Sequence, residues 1–309
     1  MDISVRQLRE SDLDEADRIF RLAFGTFIGL PNPSDFAGDA DFVRSRWTTD
    51  PSASFGAYSD TRLLGSNFAA NWGSVAIFGP LTVHPDFWNQ GVAKKLLGRT
   101  LELFARWGAK HEALYTFSNS PKHLALYQYF GFWPRFLTAI MIKPVHAAAS
   151  EITFSTYATI SDAERGEMLR ACREMTDSVY AGLDLSREIA AVWQQRLGDT
   201  VLLRGTYAVD ALAICHCGSG SEAGKDSCYI KFAAAKSQSA FKSLLEACDS
   251  FAAEKNLSRL VAGANAAREG AYRQLIIHGY RPQMVGVAMQ RYNDPGYNVP
   301  GNYIIDDWR

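Results

Sequence analysis

Asn89, Gln90, Gly91, Val92, Ala93 and Lys94 open a helix just after a strand that stops at His84-Pro85. Gly91 and Ala93 are small enough to let main-chain N–H groups approach a bound group closely. First-turn N–H groups have no partner within their own helix, and the helix dipole adds positive potential, so the junction suits a phosphate or pyrophosphate. Lys94, Lys95 and Arg99 add charge nearby. The same residues would equally make an ordinary strand-to-helix turn, because short glycine motifs are common. A second stretch, residues 120–132, starts with Ser120-Pro121, a strong helix start. It runs through Leu126 and Tyr127 to Gly131 and Phe132. A phenol of pKa ~10 can donate a proton in a reaction; it can also simply pack in a core.

Together, in this order and about 36 residues apart, the two stretches resemble the GNAT superfamily of N-acetyltransferases. The loop is similar to its acetyl-CoA motif, Arg/Gln-x-x-Gly-x-Gly/Ala. Leu126-Tyr127 with Gly131-Phe132 is similar to its Leu-Tyr-x-x-x-Gly-Phe signature. The resemblance implies a mixed α/β fold of the acyl-CoA N-acyltransferase type, with acetyl-CoA as cosubstrate and no metal. It implies that Leu81, Thr82 and Val83 offer main-chain groups to the pantetheine arm. It implies that residues 89–94 cradle the pyrophosphate and that Tyr127 is the acid. Two positions depart from the pattern. Trp88 stands where the family usually has Arg or Gln, and Ser120 where many members have an Asn that bonds the pantetheine arm. The implied reaction is direct attack by the amine of a small molecule or peptide on the thioester, in a ternary complex. The alternatives are a CoA-binding regulatory protein without catalysis, and an acyltransferase using a longer acyl-CoA.

A general base does not stand out. No Asp or Glu lies in residues 74–83, where some members of the family place a catalytic Glu. His84 beside the loop and His123 one turn before Tyr127 are candidates, and a water chain to bulk would also serve. Asp35, Asp39 and Asp41 could face a cationic substrate or simply form a solvated acidic loop.

These residues need elements to hold them, and the elements recur. Gln90 is answered by Gln238, Gly131-Phe132 by Gly279-Tyr280 and Met141 by Met289, all at an offset of 148. Hydrophobic periodicity gives each copy the order β-α-(α)-β-β-β-α-β-α-β. Within the first copy, Leu13, Ala16, Ile19, Phe20 and Ala23 mark a helix capped at Ser11, and residues 75–83 read as one strand. The expected division is a catalytic GNAT-like domain over residues 1–146, a degenerate GNAT-like domain over 151–292 and an aromatic tail over 293–309, with residues 144–150 as linker. In the second copy Gly91, Ala93 and Tyr127 become Ser239, Phe241 and Leu275, so no cofactor is expected there. That copy is expected to act as an internal pseudo-dimer partner. The tail, with Tyr297, Tyr303 and Trp308, is expected to lie as a strap over a groove between the copies.

Composition sets the outer bounds. With 309 residues, 47% of them hydrophobic, the chain can bury a sizeable core. Lys and Arg number 32 against 33 Asp and Glu, which argues against nucleic-acid or anionic-membrane partners. No stretch is long and apolar enough to span a bilayer, and the start lacks a secretory pattern. Five cysteines are too few and odd in number for a disulfide framework, so a reducing cytoplasm is expected. Cys215, His216, Cys217 and Cys228 do not match usual zinc spacing; the cysteines read as core and His216 as exposed. Residues 218–225, rich in Gly and Ser, read as a mobile hairpin loop.

Overall fold

The computed structural model describes residues 2–145, 152–205 and 209–309. Most of the expected linker, residues 146–150, lies outside them. The first half runs β1 (Ser4–Gln7), α1 (Leu13–Ile28), α2 (Val43–Thr49), β2 (Ser54–Ser59), β3 (Arg62–Trp72), β4 (Val75–Phe78), β5 (Thr82–Val83), α3 (Val92–Trp107), β6 (His111–Phe117), α4 (Pro121–Tyr129) and β7 (Phe132–Pro144). The second repeats the order as β8 (Ser155–Thr156), α5 (Asp162–Val179), α6 (Ser186–Gln194), β9 (Gly198–Arg204), β10 (Val209–Gly218), β11 (Gly224–Ala235), α7 (Gln238–Glu254), β12 (Arg259–Asn265), α8 (Glu269–Ile277) and β13 (Arg281–Arg291). The tail adds β14 (Tyr303–Ile305). This is the mixed α/β architecture expected from the sequence.

Local chemistry explains the helix ends. Gly29 and Gly108 stop α1 and α3 in the left-handed conformation, their N–H groups returning to the last turn. The start of α1 differs from expectation. Ser11 does not cap it; the Asp12 carboxylate accepts the Arg9 N–H at 2.9 Å across a short 3-10 turn, and the α-helix begins at Leu13. The expected strand over residues 75–83 is also two strands, because it breaks at Gly79-Pro80.

That break positions the site. β4 pairs in parallel with β6 over Val75–Ile77 only. Past it, Thr82 and Val83 pair with Ser66 and Gly65 of β3 and leave β6 behind. A wedge opens between β5 and the outer half of β6. The helices pack their apolar faces on the sheet around it: Leu96 and Leu103 of α3 over Phe55 and Leu64, and Leu13, Ile19 and Phe20 of α1 over Tyr58 and Phe68.

The two halves share one sheet, ordered β1-β2-β3-β4-β6-β13-β7-β12-β11-β10-β9-β8. Its centre is an exchange. β13 from the second half inserts beside β6, with Gly286 opposite Phe117, while β7 from the first half runs beside β12, with Thr138 opposite Asn265. Each half thus completes the other's sheet.

Side chains lock the same junction. Arg46 of α2 reaches Glu222 at 2.8 Å; Glu222 meets Lys231 at 2.9 Å, and Lys231 meets Glu188 at 3.1 Å. Trp72 donates its indole N–H to Glu188. Burial pushes the Glu222 carboxyl up, but Arg46 and Lys231 outweigh it and hold the group far below the usual carboxylate range. Residues 218–225 are therefore a docked loop: Glu222 is buried, and Ser219 and Lys225 bond Asp39. His216 is also buried, contrary to expectation, its Nδ1 accepting from the Glu222 N–H at 3.3 Å.

Candidate active site

A cavity of about 740 Å³ fills the wedge. Its floor is Gly79–Val83 on one side and Tyr115–Phe117 on the other, its wall the N-terminal turns of α3 and α4. Of the residues singled out from sequence, Leu81, Thr82, Val83, Asn89, Gly91, Val92, Ala93, Lys94 and Tyr127 all line it. Gln90 and Ser120 do not. Gln90 turns its amide to the Asp86 carbonyl at 3.0 Å. Ser120 is buried, and its hydroxyl caps α4 by accepting the His123 N–H at 3.4 Å.

The loop into α3 has the backbone that anion binding requires. Asn89 (φ 64°) and Gly91 (φ 83°) are both left-handed, so successive N–H groups turn toward one side. Among the described residues, none of the N–H groups of residues 89–94 has an acceptor. A Cβ on Gly91 would meet nothing within 4 Å, so that flank of the loop is open. Lys94 packs on Tyr129 at 4.2 Å, and Lys122 lies 4.9 Å from the Trp88 ring. Trp88 thus departs from the family pattern without leaving the loop uncharged. Its indole N–H is spent on the Val83 carbonyl at 2.7 Å.

Tyr127 hangs from α4 into the cavity against Phe78 (ring centroids 5.9 Å apart). Burial alone raises its phenol far above the ordinary value, so it stays protonated at neutral pH. Among the described residues its hydroxyl has no hydrogen-bond partner. This unpaired edge, unbonded amides, two lysines and a protonated phenol are the chemistry that a pantetheine arm, a pyrophosphate and a leaving thiolate ask for. The donor set fits acetyl-CoA.

The two base candidates differ. His84 lies outside the cavity and accepts the Asp86 N–H. His123 lines the cavity, stacked near Phe27 (4.8 Å). Its Nδ1 is buried without a partner. The acidic loop is already committed: Asp35 takes Asn32, Asp39 takes Ser219 and Lys225, and Asp41 takes the Arg44 N–H.

Sequence reasoning missed the far wall. Phe24, Phe27, Phe36, Phe42 and Phe117 face the cavity, with Trp308 and Arg309 of the tail. The signal was available in Phe20, Phe24 and Phe27, at helical spacing i, i+4 and i+7. The Arg309 main-chain oxygen is held by Arg46.

The second half treats the equivalent wedge differently. β11 pairs in parallel with β12 only from Ser227 to Ile230. Matching that register to β4 and β6 makes Ala233, Ala234 and Ala235 the counterparts of Leu81, Thr82 and Val83. β14 of the tail pairs with those three alanines. Ser237 caps α7, Phe241 N–H bonds Ser237, and the Phe241 ring packs on Tyr303 at 5.6 Å. Arg268, fully buried, grips the tail at the Ile304 and Asp306 carbonyls and the Asp306 carboxylate. The tail was expected over a groove between the copies; instead β14 fills the wedge of the second copy, and Trp308 and Arg309 beyond it line the first cavity.

Among the described residues, no cluster of three or more His, Cys, Asp or Glu could hold a metal. No described helix is long and apolar enough to cross a membrane.

Residues 16–132 match the acetyltransferase (GNAT) family. No curated protein sequence matches the chain. Among solved structures, a Pyrococcus horikoshii protein provisionally named an acetyltransferase is similar at a TM-score of 0.70, with 14% identity over 99% of this chain and 95% of that one. A GCN5-related N-acetyltransferase from Sphaerobacter thermophilus is similar at 0.60, with 14% identity over 94% and 95%. A third, from Anabaena variabilis, reaches 0.54, with 12% identity over 94% of this chain and 72% of that one. At such identities the likeness is one of fold, and it spans both halves. Residues 16–132, which contain the loop and the tyrosine, are thus the part of the chain that matches the acetyltransferase (GNAT) family.

Proposed function

We propose that the chain is an acetyl-CoA-dependent N-acetyltransferase with one active site, in the first copy (residues 1–146). The second copy (151–292) is a degenerate partner fold, and the tail (293–309) seals its wedge. One observation carries this reading. The same strand edge is open beside unbonded amides and Tyr127 in the first copy, and filled by the chain's own β14 in the second.

Bound in the first wedge, acetyl-CoA would supply a thioester carbonyl for an amine to attack. Residues 81–83 offer main-chain groups to an extended arm, and the N–H groups of residues 89–94 bind a diphosphate, with Lys94 and Lys122 adding charge. Tyr127 holds a proton at its phenolic oxygen for the departing sulfur. Cavity walls that exclude water keep the two reactants together, which supplies much of the rate in such transfers.

Calorimetry with CoA, and thiol release with a set of amines, test this. One site per chain is expected. Tyr127→Phe should lower kcat about 100-fold with little change in the KM for acetyl-CoA. Two equivalent sites, or an unchanged Tyr127→Phe enzyme, would overturn it. The size of the cavity favours one variant reading, a longer acyl group, which an acyl-CoA chain-length series decides.

A further inference from the structure

The far wall of the cavity is a chain of rings. Phe42 leans on Phe20 (5.6 Å), Phe20 on Phe36 (5.4 Å), and Phe36 stacks on Phe24 (5.1 Å). Phe24 and Phe27 both meet Phe117, and Phe27 meets His123. None of these residues belongs to the anion-binding loop. Among the described residues, no Asp or Glu lines the cavity, while Lys94 and Lys122 do; the guanidinium of Arg309 is already paired with Asp307 at 3.3 Å. A polycationic acceptor would enter a positive site with no counter-charge, losing its hydration for nothing. An aromatic body, in contrast, finds edge and face partners along the whole wall.

The same wall ends on the one lining side chain that can accept a proton at neutral pH. Among the described residues that line the cavity there is no Asp, Glu or Cys, and His123 carries the one imidazole. It stands one helical turn before Tyr127 on α4, so both point to one end of the cavity. Burial, and then the positive charge of Lys122, keep the imidazole below its ordinary value and therefore neutral. Among the described residues no carboxylate shifts it, and the rings packed against it from other elements are Phe27 and Phe117.

Resting on the acetyltransferase reading, we propose that the acceptor is a primary monoamine on an aromatic body, its ring against the phenylalanine wall, and that His123 is the general base. The amine nitrogen attacks the thioester carbonyl carbon; the N–C bond forms and the C–S bond breaks. The proton lost by nitrogen passes to His123, directly or through one water, and the Tyr127 phenol proton passes to sulfur. The phenolate then recovers its proton from the imidazolium through solvent, which returns both groups to their starting state.

The test is a panel of 2-phenylethylamine, tryptamine, spermidine and an alanyl peptide, with acetyl-CoA and the full chain. The aromatic amines should show kcat/KM at least tenfold above spermidine and the peptide. Phe24→Ala should cut that preference severalfold. Calorimetry without acetyl-CoA should detect 2-phenylethylamine and not spermidine. The kcat/KM profile for 2-phenylethylamine should carry an inflection below pH 6.5, rising with pH, that His123→Gln loses along with about 100-fold in rate. His123→Asn, checked for an unchanged melting temperature, guards against misfolding. Preferred acetylation of spermidine or the peptide, or an inflection that survives in His123→Gln, overturns the proposal while leaving the acetyltransferase reading intact. Rates that climb with acyl-chain length while aromatic amines remain poor acceptors also overturn it, since the wall would then hold the acyl group. No thiol release with any amine, and no CoA binding, would sink the acetyltransferase reading itself.

Discussion

The two copies expose the same stretch of strand to opposite fates. In the first, Leu81–Val83 face an open wedge, and the next helix follows left-handed residues whose amides bond nothing among the described residues. In the second, three alanines in the same register pair with β14, a serine caps the helix, and a phenylalanine closes the turn. The difference lies in a handful of side chains and one passing segment. A binding cleft of this kind is a sheet edge kept unsatisfied. Satisfying it from within turns a site into a core.

The comparison can be broken by copying one half into the other. Ala93 lines the cavity where Phe241 fills its counterpart. Ala93→Phe should weaken acetyl-CoA binding at least about 100-fold, or roughly 2.7 kcal/mol, by calorimetry. Its thermal midpoint should barely move, because the ring enters open space. Undiminished affinity would mean that the loop is not the binding surface. The next largest effect concerns the plug. Arg268 is buried and paired with Asp306 at 2.8 Å. Arg268→Met leaves that carboxylate uncompensated and should cost about 3–5 kcal/mol in urea unfolding. It should also lower kcat/KM, because the released tail carries Trp308 and Arg309 away from the first cavity. Unchanged stability would show that Arg268 does not hold the tail. The smallest effect sharpens the reading of Trp88. Lys122→Ala should raise the KM for acetyl-CoA about two- to fivefold, the scale of one exposed ion pair at 0.5–1 kcal/mol. No change would mean that the lysine serves the indole ring alone.

The parts of this contrast that could be read from sequence are those with a local cause. Gly91 needs its left-handed turn where it stands, and Ser120-Pro121 starts a helix from its own chemistry. The mismatch of Ala93 with Phe241 was likewise visible once the offset was found. The exchange of β7 and β13 was not, because both strands carry an unbroken buried run, Thr138–Met141 and Gly286–Gln290, and either partner satisfies the pattern. β14 is three residues long, too short to show a period. The aromatic wall was hidden for another reason. Phe20 and Phe24 share one face of α1 with core residues, and only packing decides which ring meets protein and which meets a cavity. His216 misled because an alternating strand gives no sign that a neighbouring loop, anchored by Glu222, will cover its outer face.

The exchanged strands bear on the chain's order of birth. As the polypeptide leaves the ribosome, β6 pairs early with β4 but gains its second neighbour only when β13, ending at Arg291, has emerged. Until then the N-terminal half carries a raw hydrogen-bonding border, the kind that invites adhesion to other chains. The sheet beneath the cavity is therefore complete only once β13 has been made, and cutting the gene between its repeats should yield two sticky fragments.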